Sequence, residues 1–497
     1  MLQNRSKIIN VIYAVCTCLG AAGEIKKEIT WQGRGMDKIK KMSKSDRALW
    51  GALFCLMMVC VANYCYVDLQ MIVRHSLNLW DSLFSGDILH FYQSSSNLAI
   101  GNMNQQTGEV PYDIWLYIPV AVWNLPTYIW EKMTGLTFET NYLALLGARL
   151  AAVVPLIGSN WAIWNIGMSA GKKQEEILRA CFIFSSSLFL LNGLFCLGQI
   201  DIYNTFFMLM GIHAYMRGDR KKFLFWFALS VTCKMFALFV FVPLLVYREK
   251  RIFYIIRDMA VGLSFSLTSK CIFFMDKMTT PTKFDERRFI RLLFEWKIEL
   301  GGTAIALSVL LFLLLLIWCW QAEYVKEGEK ERAIWIAFAG YGCFFAGAVT
   351  LPYWAVAFSP LPVLLILMNP VRGKVVLWLE MVAGVTYFII GLCRFGYAYA
   401  AAANIRWMLV GILNERTIKG IDFSQVYDSL SSGAQENVSA LLTAVYMGTM
   451  FSILWITRPG RRRNAIEEID VIDKGSMWVR FLANAGMTLL PLVAYFL

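Results

Sequence analysis

Histidine is almost missing from this chain. His75, His90 and His213 are the only three in 497 residues, too few and too dispersed for a metal site built from imidazoles. Charge is scarce as well: 16% of residues are Asp, Glu, Lys or Arg, against 58% apolar. A soluble protein with so apolar a surface would precipitate. The 12 cysteines form no CxxC pair of pairs and mostly sit inside apolar runs, so they read as small buried hydrophobes. The alternation of a β-barrel is absent, and so are an internal repeat and a clean signal-peptide cleavage pattern.

What fills the chain instead is a series of apolar runs of roughly 20 residues, each long enough for a bilayer core of roughly 30 Å. Helices satisfy their own backbone groups in lipid. The expected fold is all-α: a polytopic membrane protein with about 13 transmembrane helices, some of them short. The net charge of +12 would suggest nucleic acid on a soluble protein. Here Lys and Arg gather in short loops between apolar runs, as in cytoplasmic loops of membrane proteins, so no nucleic-acid partner is expected.

Residues 1–47 are basic and read as a cytoplasmic segment. Within them Ile8–Ala22 is either interfacial or an extension upstream of a start at Met36. The first helix, about 48–67, leaves the cytoplasm, and residues 68–140 form a long external loop. Its stretch Pro111–Thr134 contains Pro111, Pro119 and Pro126 among Trp and Tyr. Proline breaks regular helix and Trp and Tyr prefer the interface, so juxtamembrane helices are expected there. RGDRKK and REKR flank residues 223–247. Either two short helices meet near Lys234 on the external face, or one span violates the charge rule once. Loop 276–300 is either a near-neutral interfacial segment or a misplaced helix. Loop 394–439 is external, Arg480 sits at the mouth of the last helix, and the chain runs from an inside N-terminus to an outside C-terminus.

Ionisable groups at membrane depth are costly and usually mark function or a specific pairing. Trp80–Tyr92, reading WDSLFSGDILHFY, carries Asp81 and Asp87 just after the first membrane helix. Both could simply be solvated or cap a short helix. Asp87 is preferred as a catalytic base because Gly86 permits a tight turn and close approach of substrate. Asp201, in the turn GQID, is a second acid or the N-cap of the next helix. Lys234 is a functional cation or a snorkelling lysine. Arg149 lies near the outer end of its helix, and Glu380, in mid-helix, is protonated or paired with another helix.

The order of these features resembles the GT-C class of integral-membrane glycosyltransferases, which includes protein O-mannosyltransferases and aminoarabinose transferases. The matching residues are Gly86, Asp87 and Tyr92 (GD-x-x-x-x-Y), the aromatic Pro111–Trp130 stretch, and Gly198, Gln199, Asp201, Phe206 and Phe207 (GQ-x-D-x-x-x-x-FF). A helix pair with Lys234 between its halves follows, and Pro352-Tyr353-Trp354 is similar to a short external turn in some members. The resemblance covers roughly residues 48–250. It implies a catalytic module over 48–257 and a variable helical module over 258–497, in a multi-pass protein of a bacterial cytoplasmic membrane with its site outside. It implies a polyprenyl-phosphate sugar donor, a glycan or lipid-linked acceptor, and contact with membrane lipids. Asp87 and Asp201 would be catalytic. Lys234, Arg149, Gln199, Tyr92, His90 and Tyr353 would bind substrate or lipid phosphate. The first loop lacks the Asp-Asp or Asp-Glu pair of some members, so no metal ligand is assigned and a divalent metal stays open. A base plus a cation suffices for inverting transfer. A lipid flippase or transporter, with broken helices in related halves, and a polysaccharide polymerase are the competing readings.

Overall fold

The computed structural model describes residues 43–98, 110–276, 290–326, 328–347, 351–402, 421–459 and 472–496. Ile8–Ala22, Met36, most of loop 276–300 and residues 403–420 lie outside them. The described chain is mostly helical. Its contacts divide it into two compact units, Met1–Phe54 and Cys55–Leu497.

Among the described residues, five helices are long and apolar enough to cross a membrane: Lys44–Asn63, Tyr142–Ser169, Gly373–Tyr399, Ser432–Ile456 and Lys474–Ala494. Two bent pairs, Gln174–Ser185 with Leu188–Cys196 and Ile252–Gly262 with Ser264–Ile272, raise the number to seven if each is one span. The expected 13 is therefore too many. Chain breaks cut several apolar runs into helices such as Ile202–Met216, Arg220–Cys233 and Pro360–Met368. A 15-residue helix is only about 22 Å long, short of a bilayer core. The all-α expectation also meets one exception, an antiparallel hairpin pairing Lys297–Leu300 with Thr303–Ala306.

Between the first helix and Tyr142 the chain forms Val67–Phe84, Ile114–Trp123 and Leu125–Thr134. Neither of the last two is long enough to span, and Pro119 and Pro126 sit inside or at the start of them. Arg74 clamps this layer, with its guanidinium on the carboxylates of Glu131 and Glu139. Trp115 Nε1 donates to Phe265 O at 3.0 Å and ties the layer to Ser264–Ile272.

The two ends of the bundle differ in chemistry. At one end short basic loops donate to the last carbonyls of helices. Lys172 Nζ reaches Met368 O at 3.3 Å, Arg372 Nη1 reaches Ile456 O at 3.4 Å, and Lys330 and Lys250 reach Ser169 O and Cys319 O. Cations there satisfy orphan carbonyls and complement the helix dipole. At the opposite end Tyr64 donates to Thr488 O at 2.6 Å, Cys65 N to Ala402 O at 2.8 Å, and Tyr203 to Ala151 O at 3.1 Å. Asp68, Gln199, Asp201 and Lys234 belong to this second end.

Candidate functional site

Three chain breaks assemble the site. The first is the short gap after Lys44–Asn63, from which Val67–Phe84 starts with Asp68 in its first turn. The second follows Leu188–Cys196. Leu197 N bonds Asn192 O and Gln199 N bonds Gly193 O, both at 3.0 Å, while Gly198 takes φ +62°. This is the left-handed glycine closure of a helix C-terminus, and it delivers Gln199 and Asp201 to one turn. The third is at Lys234, which is extended (φ −155°, ψ 125°) between Arg220–Cys233 and a short helical turn leading into Leu238–Arg248. The chain there is two short helices rather than one span.

A fourth piece, the helical turn Pro352–Ala357, packs on Gly193. A Cβ at 193 would meet Tyr353 Cα at 3.0 Å, so the missing side chain lets Tyr353 approach.

These breaks bring together a continuous polar network. Gln199 Nε2 donates to Asp68 Oδ2 at 2.9 Å. The Tyr353 hydroxyl donates to the same oxygen at 3.3 Å. The Tyr112 hydroxyl donates to Gln199 Oε1 at 3.4 Å. Lys234 Nζ stands over the Tyr112 ring, 4.5 Å from its centroid, and 5.4 Å from the Trp354 ring. Asp201 Oδ1 lies 3.8 Å from Lys234 Nζ, beyond hydrogen-bond length. Gln199, Asp201 and Lys234 are buried, whereas Asp68 is half-buried. The arrangement is a partly open carboxylate held by two donors, backed by a buried cation between aromatic faces. The ammonium is attracted by both ring faces and by the Asp201 charge.

Tyr112 is itself held from behind. Its N–H donates to the Tyr117 hydroxyl at 3.3 Å, which meets His75 Nδ1 at 3.4 Å. Burial pushes the His75 imidazole down to about 3, so it is neutral. Beside Tyr112, burial raises the Asp113 carboxyl to about 6.

Of the residues singled out from sequence, Gln199, Asp201, Lys234 and Tyr353 join this network. Asp201 precedes Ile202–Met216 but its side chain does not cap that helix. Arg149 is elsewhere: its guanidinium donates to Cys60 O at 3.3 Å, to Phe195 O at 3.2 Å and to Val61 O. It gathers the last carbonyls of two helices, and so fixes the breaks from which Asp68 and Gln199 emerge. Tyr92 is buried, with its hydroxyl accepting from Ile114 N at 3.0 Å and its N–H donating to Asp276 at 3.0 Å; it anchors the aromatic layer rather than the network.

Asp87 and His90 stand apart as a surface pair. They are 60% and 56% exposed, and His90 Nδ1 lies 2.5 Å from Asp87 Oδ1. Gly86 does make the expected tight turn, at φ +75°, but the turn presents Asp87 to solvent. Asp81 accepts from Tyr128 at 2.8 Å and pairs with Lys132 at 2.7 Å.

Sequence reasoning missed Asp68, Tyr112 and the role of Trp354. Asp68 carried a usable signal: it is the first acid after the first membrane helix. Among the described residues, no three His, Cys, Asp or Glu side chains come together as a metal site. No protein-family model matches the chain, and neither a curated protein nor a solved structure shows significant similarity to it.

Proposed function

We propose that the protein is a membrane glycosyltransferase of GT-C type that moves a sugar from a polyprenyl-phosphate donor to a hydroxyl of a glycan or lipid-linked acceptor. One observation carries the reading. A half-buried carboxylate, Asp68, is fixed by Gln199 and Tyr353 and linked through Tyr112 to the buried cation Lys234. That is the pair of groups the reaction needs.

An acceptor hydroxyl attacks poorly until a base removes its proton. Asp68 takes that proton as the acceptor oxygen bonds to the anomeric carbon. The bond from that carbon to the phosphate oxygen breaks, and the lipid phosphate leaves as an anion. Lys234 neutralises the growing charge in a poorly screened site, with Asp201 beside it. A single displacement inverts the anomeric centre. The role assigned from sequence to Asp87 thus moves to Asp68. The resemblance and the basic loops at the opposite end support a bacterial setting and an outward-facing site.

The test is direct. The purified protein in liposomes is given polyprenyl-phosphate sugars and a hydroxyl acceptor. The expected result is release of polyprenyl phosphate together with a glycosylated product. The bent helix pairs favour a lipid flippase as the second reading. Movement of the intact lipid across the bilayer with no sugar transfer would establish that one instead.

A further inference from the structure

At the basic end of the bundle three arginines surround one aromatic ring. The guanidinium carbons of Arg251, Arg257 and Arg220 lie 3.9, 4.7 and 5.7 Å from the Tyr254 ring centroid. Two carboxylates hold them in place. Glu249 accepts from Arg251 Nε and Nη2 at 2.8 and 2.9 Å and from Arg220 Nη1 at 3.3 Å. Asp258, fully buried, accepts from Arg220 Nε at 2.7 Å and from Arg257 Nε and Nη2 at 3.0 and 2.9 Å. The Arg251 hydrogen bond holds the Glu249 carboxyl well below its usual range.

Three positive charges therefore face two negative ones. Arg251 and Arg257 remain 64% and 53% exposed. Among the described residues, Nη1 of neither meets a protein acceptor. Both guanidinia are stacked and pinned, so they would bind an anion with little loss of rotamer entropy.

The same helix carries the second half of the argument. Ile252–Gly262 begins just after Arg251 and leaves Phe253 82% exposed, with Ile252 and Ile256 also exposed. Phe253 bare to water is a costly surface, and acyl chains remove that cost. An apolar face directly beside pinned arginines matches a phospholipid, whose phosphate lies where its chains end. The cluster is remote from the Asp68 network: Arg220 and Lys234 flank the 14-residue helix Arg220–Cys233, a separation of about 21 Å.

We propose that Arg251, Arg257 and Tyr254 form a binding site for the phosphate headgroup of an anionic phospholipid, with its chains lying against Phe253 and Ile256. The site needs no sugar-transfer activity and stands whether or not the protein is a transferase.

The experiment is native mass spectrometry of the full chain from equal mixtures of phosphatidylglycerol and phosphatidylcholine with identical chains, with thermal unfolding in each lipid alone. Wild type should retain phosphatidylglycerol with a preference on the order of tenfold, as expected for two arginines at a headgroup, and melt at higher temperature in it. Arg251→Gln with Arg257→Gln should lose that preference, with Arg220 still in place for Glu249 and Asp258. Should the double variant not fold, Arg251→Gln alone carries the same test with a smaller loss. Equal retention of the two lipids by wild type overturns the proposal, and so does an unchanged preference in the variant. Stabilisation by inorganic phosphate equal to that by phosphatidylglycerol overturns the lipid assignment.

Discussion

Two ion pairs with both side chains buried, Arg480–Glu380 and Lys234–Asp201, are built differently. Arg480 and Glu380 form a closed set. Nε of Arg480 donates to Glu380 at 2.8 Å, Nη1 to Ser186 Oγ at 2.8 Å, and Nη2 to Ile183 O at 3.0 Å. Ser187 donates to the other Glu380 oxygen at 2.6 Å. All three nitrogens and both oxygens have protein partners, and the cluster plugs the break between Gln174–Ser185 and Leu188–Cys196. Lys234 and Asp201 instead stand 3.8 Å apart between aromatic rings, one network away from a half-buried carboxylate. Both pairs pose the same desolvation problem. In the first, every strong donor and acceptor of the two side chains is in hydrogen-bond contact, which suits a strut. The second sets an ammonium between two aromatic faces and 3.8 Å from a carboxylate, which suits a group that meets a substrate's charge.

This contrast sets the order of expected effects. Arg480→Leu leaves Glu380 buried without its counter-charge, and the stability loss should be about 3–5 kcal/mol. Arg480→Leu combined with Glu380→Leu should recover most of it. Thermal unfolding in one detergent reads both, and a single variant as stable as wild type would erase the distinction between the pairs.

Lys234→Ala should reverse the pattern. Its unfolding should shift less than that of Arg480→Leu, while transfer at limiting donor should fall by about 10²-fold, the usual loss when a charge-stabilising group is removed. Lys234→Arg should keep part of the rate. Normal transfer at limiting donor by the alanine variant would show Lys234 to be another strut.

The smallest effect belongs to Asp87 and His90. Asp87 raises the His90 pKa above its ordinary 6.5. A raised histidine stabilises fully below pH 6.5 and loses that contribution as pH rises through its folded value. Wild type should therefore melt slightly higher in mild acid, relative to Asp87→Asn, and the gap should close at mildly alkaline pH. A gap that grows with pH would contradict the pairing.

Local features of the chain were legible in the sequence. The break at Lys234 followed from basic flanks on both sides of an apolar run. Gly198 before Gln199 and Pro352 before Tyr353 marked turns, and the structure uses both. The helix count failed because apolar run length does not reveal a break inside a run, and Ser185–Ser187 interrupts one with no Pro or Gly to signal it. Partners distant in sequence were also hidden. Asp68 meets Tyr353, and Arg480 at an apparent cytoplasmic mouth turns inward to Glu380. A Gly-Asp turn drew attention to Asp87 because a turn is a local signal; burial against three other segments is not.

The central claim is that Asp68, not Asp87, is the base. Purified Asp68→Asn and Asp87→Asn, matched to wild type in thermal stability, would be assayed side by side with a polyprenyl-phosphate sugar and a hydroxyl acceptor. Asparagine keeps the shape and removes the basicity. The account predicts a loss of roughly 10²–10⁴-fold in turnover for Asp68→Asn and near-normal turnover for Asp87→Asn. Near-normal turnover by Asp68→Asn beside a large loss in Asp87→Asn would contradict it and return the site to the exposed turn.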